Sequence, residues 1–168
     1  YNEDRQIEII GNGEIYNYLQ LKKELLGKGH VFSSHTDTEI LVHLYEEKQE
    51  RLLDDLEGMF TFALYDKKRK KLFLARDRFG IKPLYYKASG DRFIFASEIK
   101  AILSFERQKG KLNYESLSDY FAYQYIVNRE TLFQNIYKLL PCIHTATTLT
   151  LSRGKRESNY LTLNDIAN

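Results

Sequence analysis

The sequence is short of the residues that mark several large classes of protein. It holds one cysteine, Cys142, in 168 residues, so no internal disulfide can form. With no signal-like segment either, a reducing cytoplasm is the expected compartment. No run of about 18 apolar residues occurs, and mean hydropathy is −0.48, which excludes a membrane-spanning helix. Neither sign of charge dominates: 25 Lys and Arg against 23 Asp and Glu give a net charge of +2. That is too balanced for a module whose hold on nucleic acid or a membrane surface depends on excess cations. The glycines form neither G-x-G-x-x-G nor a Walker-type phosphate loop, so nucleotide binding has no support. Methionine occurs once, as Met59, and the chain opens on Tyr1. Residues 6–10 read as a strand already under way, so the expectation is a chain cut from something longer.

What is present is enough for one domain, with room for an appendage. Hydrophobic residues make up 43% of the chain, and 23 of these are Tyr and Phe. Ile7, Ile9 and Ile10 predict a buried strand that ends in a turn at Gly11-Asn12-Gly13. A helix is predicted over 14–26, with Ile15, Leu19, Leu21, Leu25 and Leu26 broadly on one side and Gly27 and Gly29 closing it. A short strand over 30–33 leads to Thr36-Asp37-Thr38-Glu39, a T-x-x-E capping box opening a second helix. Residues 58–65 and 72–75 predict a hairpin across a charged turn, and 84–87 with 92–96 predict a second. A short helix at 98–103, a polar stretch at 106–111, an aromatic-rich helix at 115–127, a short strand or helix within 131–140 and a strand at 145–151 complete the chain. Strands bunched between helices indicate an α+β fold.

Few residues combine in patterns that carry chemistry. In Asn12-Gly13-Glu14-Ile15-Tyr16-Asn17, an asparagine amide beside a glycine N–H can place two donors on one oxygen. That is the geometry needed where negative charge develops on a carbonyl oxygen. An ordinary Asn-Gly turn fits the same residues. Asp37 reads as an acid in the first turn of a helix; Glu14 and Asp37 together can hold an ammonium group if they converge, which spacing does not decide. The basic run at 67–71 reads as a solvated turn. His30, His35, His43 and His144 show no metal-ligand spacing, and Cys142 reads as structural. Arg76 and Asp77 are placed to hold the loop that runs past Gly80 and Pro83.

Several strings resemble, together and in order, the glutaminase domain of asparagine synthetases, a group of class II glutamine amidotransferases. They are Asn12 to Asn17, Thr36-Asp37-Thr38-Glu39, Leu56-Glu57-Gly58-Met59-Phe60, Ala75-Arg76-Asp77 with Gly80 to Tyr86, and Phe95-Ala96-Ser97-Glu98-Ile99-Lys100-Ala101. The resemblance implies a partial glutaminase domain over 1–104, incomplete at its N-terminus, and a joining segment over 105–168 toward an absent synthetase domain. The implied fold is that of the N-terminal-nucleophile hydrolases, a sandwich of two antiparallel sheets between helices. The implied substrate is L-glutamine, with an N-terminal cysteine as nucleophile. Asn12 through its side chain and Gly13 through its N–H are the implied oxyanion hole; Glu14 and Asp37 are the implied holders of the substrate α-ammonium. ATP and Mg belong only to the absent synthetase domain, and no cofactor or metal is implied for this chain.

The chain departs from that pattern in specific places. The cysteine nucleophile and the arginine-bearing segment for the substrate carboxylate have no counterpart, and Cys142, being internal, cannot replace the first. Leu140-Pro141-Cys142 stands where a Pro-Gly pair is expected, and Tyr160-Leu161 where Tyr-Trp is expected. The expectation is therefore a glutamine-binding chain that does not hydrolyse glutamine by itself. The alternatives are a non-catalytic amino-acid-binding module, or a structural remnant or subunit that completes a partner chain.

Overall fold

A computed structural model describes residues 1–89, 92–107, 109–141 and the strand backbone at 147–152. The elements run β1 (Ile7–Ile15), α1 (Tyr18–Gly27), α2 (Glu39–Lys48), a 3-10 segment (Gln49–Asp54), β2 (Gly58–Asp66), β3 (Lys71–Arg76), β4 (Tyr85–Ser89), β5 (Arg92–Ala96), α3 (Ile99–Glu106), α4 (Tyr114–Tyr123), β6 (Tyr137–Lys138) and β7 (Thr147–Ser152). Both expected hairpins form, and the α+β class holds. Cys142, His144, Tyr160 and Leu161 lie outside the described residues.

The chain divides into two compact units. The first, built on Tyr1–Lys82 with β7, carries an antiparallel sheet in the order β1-β2-β3-β7. Alternation along β2 sends Phe60, Phe62 and Leu64 to one face, where Phe73 and Ala75 of β3 join them. Rings meet at 5.7 Å between Phe60 and Phe62 and 5.9 Å between Phe62 and Phe73. Leu21 and Leu25 of α1 and Ile40, Leu41, Val42, Leu44 and Tyr45 of α2 join this core. Helix α2 is buried over seven consecutive residues, Glu39 to Tyr45, rather than along one stripe. Its helical period is legible from Ile40, Leu41, Leu44 and Tyr45; its burial on every side is set by packing.

The second unit, within Pro83–Leu140, carries the sheet β5-β4-β6. Tyr86 is its centre, with ring centroids 5.8 Å from Phe93 and 5.6 Å from Tyr137. Ile102 of α3 is fully buried, and Lys87 pairs with Glu106 at 2.6 Å. Asn113 caps α4 by accepting from the Ser116 N–H. This helix stops at Tyr123, short of the expected Val127, because Gln124 turns left-handed at φ 55°. Of the expected element within 131–140, only Tyr137–Lys138 pairs with β4.

The largest difference from the sequence reading lies at Gly11-Asn12-Gly13. No turn forms there. β1 runs through all three and ends at Ile15, so the helix starts at Tyr18, and Leu19 and Leu26 are exposed while Leu21 and Leu25 are buried. The glycines serve an approach of two strands instead of a change of direction. At Gly13 (φ 141°) a Cβ would fall on the Met59 carbonyl oxygen and 2.6 Å from Phe60 Cα. At Gly58 (φ 157°), a Cβ would fall on the Glu14 carbonyl oxygen and 3.1 Å from Ile15 Cα. Each strand leaves out a side chain where the other's backbone passes. Replacing Gly58 by alanine should destabilise the protein by at least ~2 kcal/mol in urea unfolding, because only backbone can give way. A loss below about 0.5 kcal/mol would show the approach to be looser than this geometry.

Candidate active site

The hydrogen-bond phase of β1 decides what its residues can offer. Lys67 N–H donates to the Gln6 carbonyl and Tyr16 N–H to the Glu57 carbonyl, so even-numbered residues bond to β2. The odd-numbered residues direct N–H and C=O to the outer edge. Two side chains confirm that phase. Ile7 N–H donates to Asn2 Oδ1 at 3.0 Å, and Ile15 N–H donates to Asp37 Oδ2 at 2.8 Å. The Phe60 carbonyl, opposite Gly13, accepts from Asp77 on the β3 side. Gly13 N–H therefore points out along the same edge as the N–H that Asp37 holds, two residues away.

Side chains alternate in step. Ile7 and Ile15 face the core, while Asn12 and Glu14 share the opposite face and are exposed. The expected helix N-terminus contributes nothing here, since Asn12, Gly13 and Glu14 all lie within the strand. The same strand end therefore carries an edge N–H at Gly13, an amide at Asn12, and two carboxylates: Glu14 on the strand and Asp37, half-buried. Asp37 is fastened to the backbone of the residue that follows Glu14.

The loop before α2 aims Asp37. The expected capping box does not form, and the 30–33 strand is absent. Glu39 instead reaches back to Ser33 and Ser34, accepting from both backbone N–H groups at 2.7 Å and from their hydroxyls at 2.8 and 2.6 Å. Thr36 joins through Ser34 Oγ at 2.9 Å. Thr38, not Thr36, immediately precedes the helix, and no side chain caps it. A buried carboxylate with four donors closes the loop more firmly than a capping box does, and it leaves Asp37 free to turn toward β1.

Two further residues brace this unit: the role of Asn17 escaped the sequence reading, whereas Asp77 holds the loop past Gly80 as expected. Asn17 clamps the exit of β1: its Nδ2 donates to the Asp55 carbonyl at 2.7 Å and its Oδ1 accepts from Glu57 N–H at 3.1 Å. Asp77, fully buried, collects the N–H groups of Phe79, Ile81 and Lys82 at 3.0–3.1 Å. Arg76 donates from Nε to the Lys82 carbonyl at 2.6 Å and also holds the Gly80 carbonyl. The adjacent pair thus fixes the loop by gripping its backbone. The basic run is engaged too: Lys67 pairs with Glu8, Lys68 with Asp4, Arg69 with Asp66 and Lys71 with Glu50.

An outward N–H beside an asparagine amide, with two carboxylates along the same strand end, suits a small amino acid whose side chain carries a polarisable carbonyl. Comparison with known proteins gives the family. Residues 1–160 match the family described as glutamine amidotransferase domain, and the chain belongs to that family. It is 43% identical to asparagine synthetase [glutamine-hydrolyzing] 2 of Bacillus subtilis, over 98% of this chain and 22% of that protein. It is 44% identical to asparagine synthetase [glutamine-hydrolyzing] 3 of the same organism, over 86% and 23%. Among solved structures, the glutamine phosphoribosylpyrophosphate amidotransferase of B. subtilis superposes with a TM-score of 0.52 at 29% identity, over 57% of this chain and 22% of that one. The chain thus spans less than a quarter of the length of these relatives. The fold is that of the N-terminal-nucleophile amidotransferases, and the sequence is that of the amidotransferase domain of asparagine-synthetase-like proteins.

Glu39 makes the loop sensitive to acid. Burial pushes its carboxyl up, but the hydrogen bonds from Ser34 and Ser33 outweigh that and hold it at about 2, against a usual 4.5. A depressed carboxylate stabilises the fold above its unfolded value and ceases to as pH falls through its folded one. Roughly 3 kcal/mol should therefore be present at neutral pH and disappear between about 4.5 and 2. In urea unfolding, Glu39→Gln should cost most at neutral pH, and its difference from wild type should shrink across that window. A difference that does not vary with pH would contradict this account.

Proposed function

We propose that these residues are the glutamine-binding part of an asparagine-synthetase-like glutamine amidotransferase. The observation that carries the reading is the Ile15 N–H to Asp37 hydrogen bond, which brings Asp37 to the strand end bearing Asn12, Gly13 and Glu14. Glu14 and Asp37 hold the α-ammonium of L-glutamine through charge-assisted hydrogen bonds. The Asn12 amide and Gly13 N–H receive the side-chain carbonyl oxygen as it gains charge. Attack on that carbonyl needs a nucleophile, which in this family is an N-terminal cysteine; the one cysteine among the 168 residues is Cys142. The chain's own residues bind and polarise glutamine but do not cleave it. Released ammonia is destined for an aspartyl-adenylate in a synthetase domain, where ATP and Mg act, in the cytoplasm. On this reading residues 1–104 are the glutaminase part and 105–168 the segment joining it to that domain.

Calorimetry tests the reading. L-glutamine should bind more tightly than D-glutamine, and neither should yield ammonia with the 168-residue chain. Asp37→Asn keeps an acceptor for Ile15 N–H but removes the charge, so affinity should fall ~10-fold or more. Asn12→Ala should leave ground-state binding nearly unchanged, because an oxyanion donor acts in the transition state. Equal affinity for both enantiomers, or steady ammonia release, would falsify the proposal.

A further inference from the structure

The Ile7 end of β1, some 26 Å along the strand from Asp37, gathers a second set of polar side chains from three separate segments. They are Glu3, His30 at the end of the loop after α1, and His43 and Glu46 one turn apart on α2. One ligand atom from each lies within 4.8 Å of every other. His43 Nδ1 is 3.4 Å from Glu46 Oε2 and 3.6 Å from Glu3 Oε2. His30 Nδ1 is 3.6 Å from the same Glu46 oxygen and 3.9 Å from Glu3 Oε1.

The second observation is His43 itself. Its side chain is 1% exposed, and neither ring nitrogen has a hydrogen-bond partner. Buried polar atoms are normally paired, since leaving one unpaired costs about 1–3 kcal/mol. The Nδ1 atom nevertheless points into the cluster, held there by packing: the His43 ring lies 4.5 Å from Phe32 and 5.0 Å from His30.

We propose that Glu3, His30, His43 and Glu46 form a tetrahedral site for a divalent transition-metal ion, Zn2+ above others. Bonds of ~2.0–2.1 Å require neighbouring ligand atoms about 3.4 Å apart. The imidazole–carboxylate separations of 3.4 to 3.9 Å lie near that value, and all four ligand atoms, within 4.8 Å of one another, must draw in to reach it. These separations are too long for good hydrogen bonds. Two imidazoles disfavour Ca2+ and Mg2+, which take oxygen ligands, and two carboxylates balance the charge of the ion.

The surrounding groups hold the ligands as metal sites require. His30 Nε2 meets Glu47 Oε1 at 3.3 Å, a carboxylate that Lys28 fixes from its other oxygen at 2.6 Å. Carboxylates behind ligating histidines set the tautomer and raise basicity at the metal. His43 Nε2, 4.0 Å from Glu39, makes no hydrogen bond, so its ring is positioned by packing alone. Asn2 Nδ2 donates to Glu46 Oε1 at 2.7 Å, which leaves Oε2 for the ion, and Val31 N–H donates to Glu3 Oε1 at 3.1 Å. Four residues from three segments, closed by one ion, tie the N-terminal segment and the loop after α1 to α2.

The test uses the 168-residue chain, stripped with a chelator and titrated with Co2+, then with Zn2+ in competition. One equivalent of Co2+ should give the visible absorption of a tetrahedral centre, and Zn2+ should displace it and raise Tm. His30→Ala and Glu3→Gln, both at positions outside the core and checked for folding by circular dichroism, should lose the absorption and the Tm response. Glu47→Gln should weaken Zn2+ binding ~10–100-fold while keeping the absorption. A folded wild-type protein without the tetrahedral signal overturns the proposal, as does a signal that either His30→Ala or Glu3→Gln leaves intact. Neither variant touches Asn12, Gly13, Glu14 or Asp37, so glutamine binding is measured in the same samples and fails or survives independently.

Discussion

The outward edge of β1 is the constraint on which the first unit depends. A strand with partners on one side leaves a row of N–H and C=O groups on the other. Here the two ends of that row are closed by side chains, Asn2 at Ile7 and Asp37 at Ile15. Each closing residue does a second task. Asn2 turns Glu46 so that one carboxylate oxygen is committed and the other is not. Asp37, in satisfying Ile15, is brought to the strand end that bears Glu14. Both polar clusters of this unit are consequences of how one strand finishes its hydrogen bonds.

Helix α2 connects them. Glu39 at its start holds the Ser33-Ser34 loop and so the approach to Asp37, while His43 and Glu46 follow on the same side at the spacing of helical turns. A helix buried on all sides normally carries apolar residues throughout. This one places a carboxylate and an imidazole among the buried positions Glu39 to Tyr45, and the four hydrogen bonds to Glu39 show how the first is accommodated. The electrostatics of the loop and the packing of the core are thereby the same problem.

Much of this was legible beforehand, and the misses share a cause. The hairpins follow from alternation and from the charged turn between them, so β2 with β3 and β4 with β5 stand where expected. The motif residues Asn12, Gly13, Glu14 and Asp37 are visible as strings. Their surroundings are not: Gly11-Asn12-Gly13 has the composition of a turn, and only the passage of Met59 and Phe60 alongside explains why glycine is needed in a strand. Thr36 and Glu39 have capping-box spacing, but two serines upstream compete for the same carboxylate. Glu3, His30 and His43 are too far apart in sequence for any spacing rule to join them. Local signals survived where local forces decide; long-range contacts decided the rest.

The burial of α2 over Glu39 to Tyr45 also bears on what kinds of change the segment can absorb. A substitution alters one contact. An insertion or deletion of a single residue between Glu39 and Glu46 rotates everything on one side of it by about 100°. It would carry Glu39 away from Ser33 and Ser34, or His43 and Glu46 away from Glu3 and His30, while driving apolar side chains out of the core. The helix therefore works as a fixed-phase spacer: its length in residues, more than the identity of any one of them, sets the relation between the loop at its start and the cluster at its end.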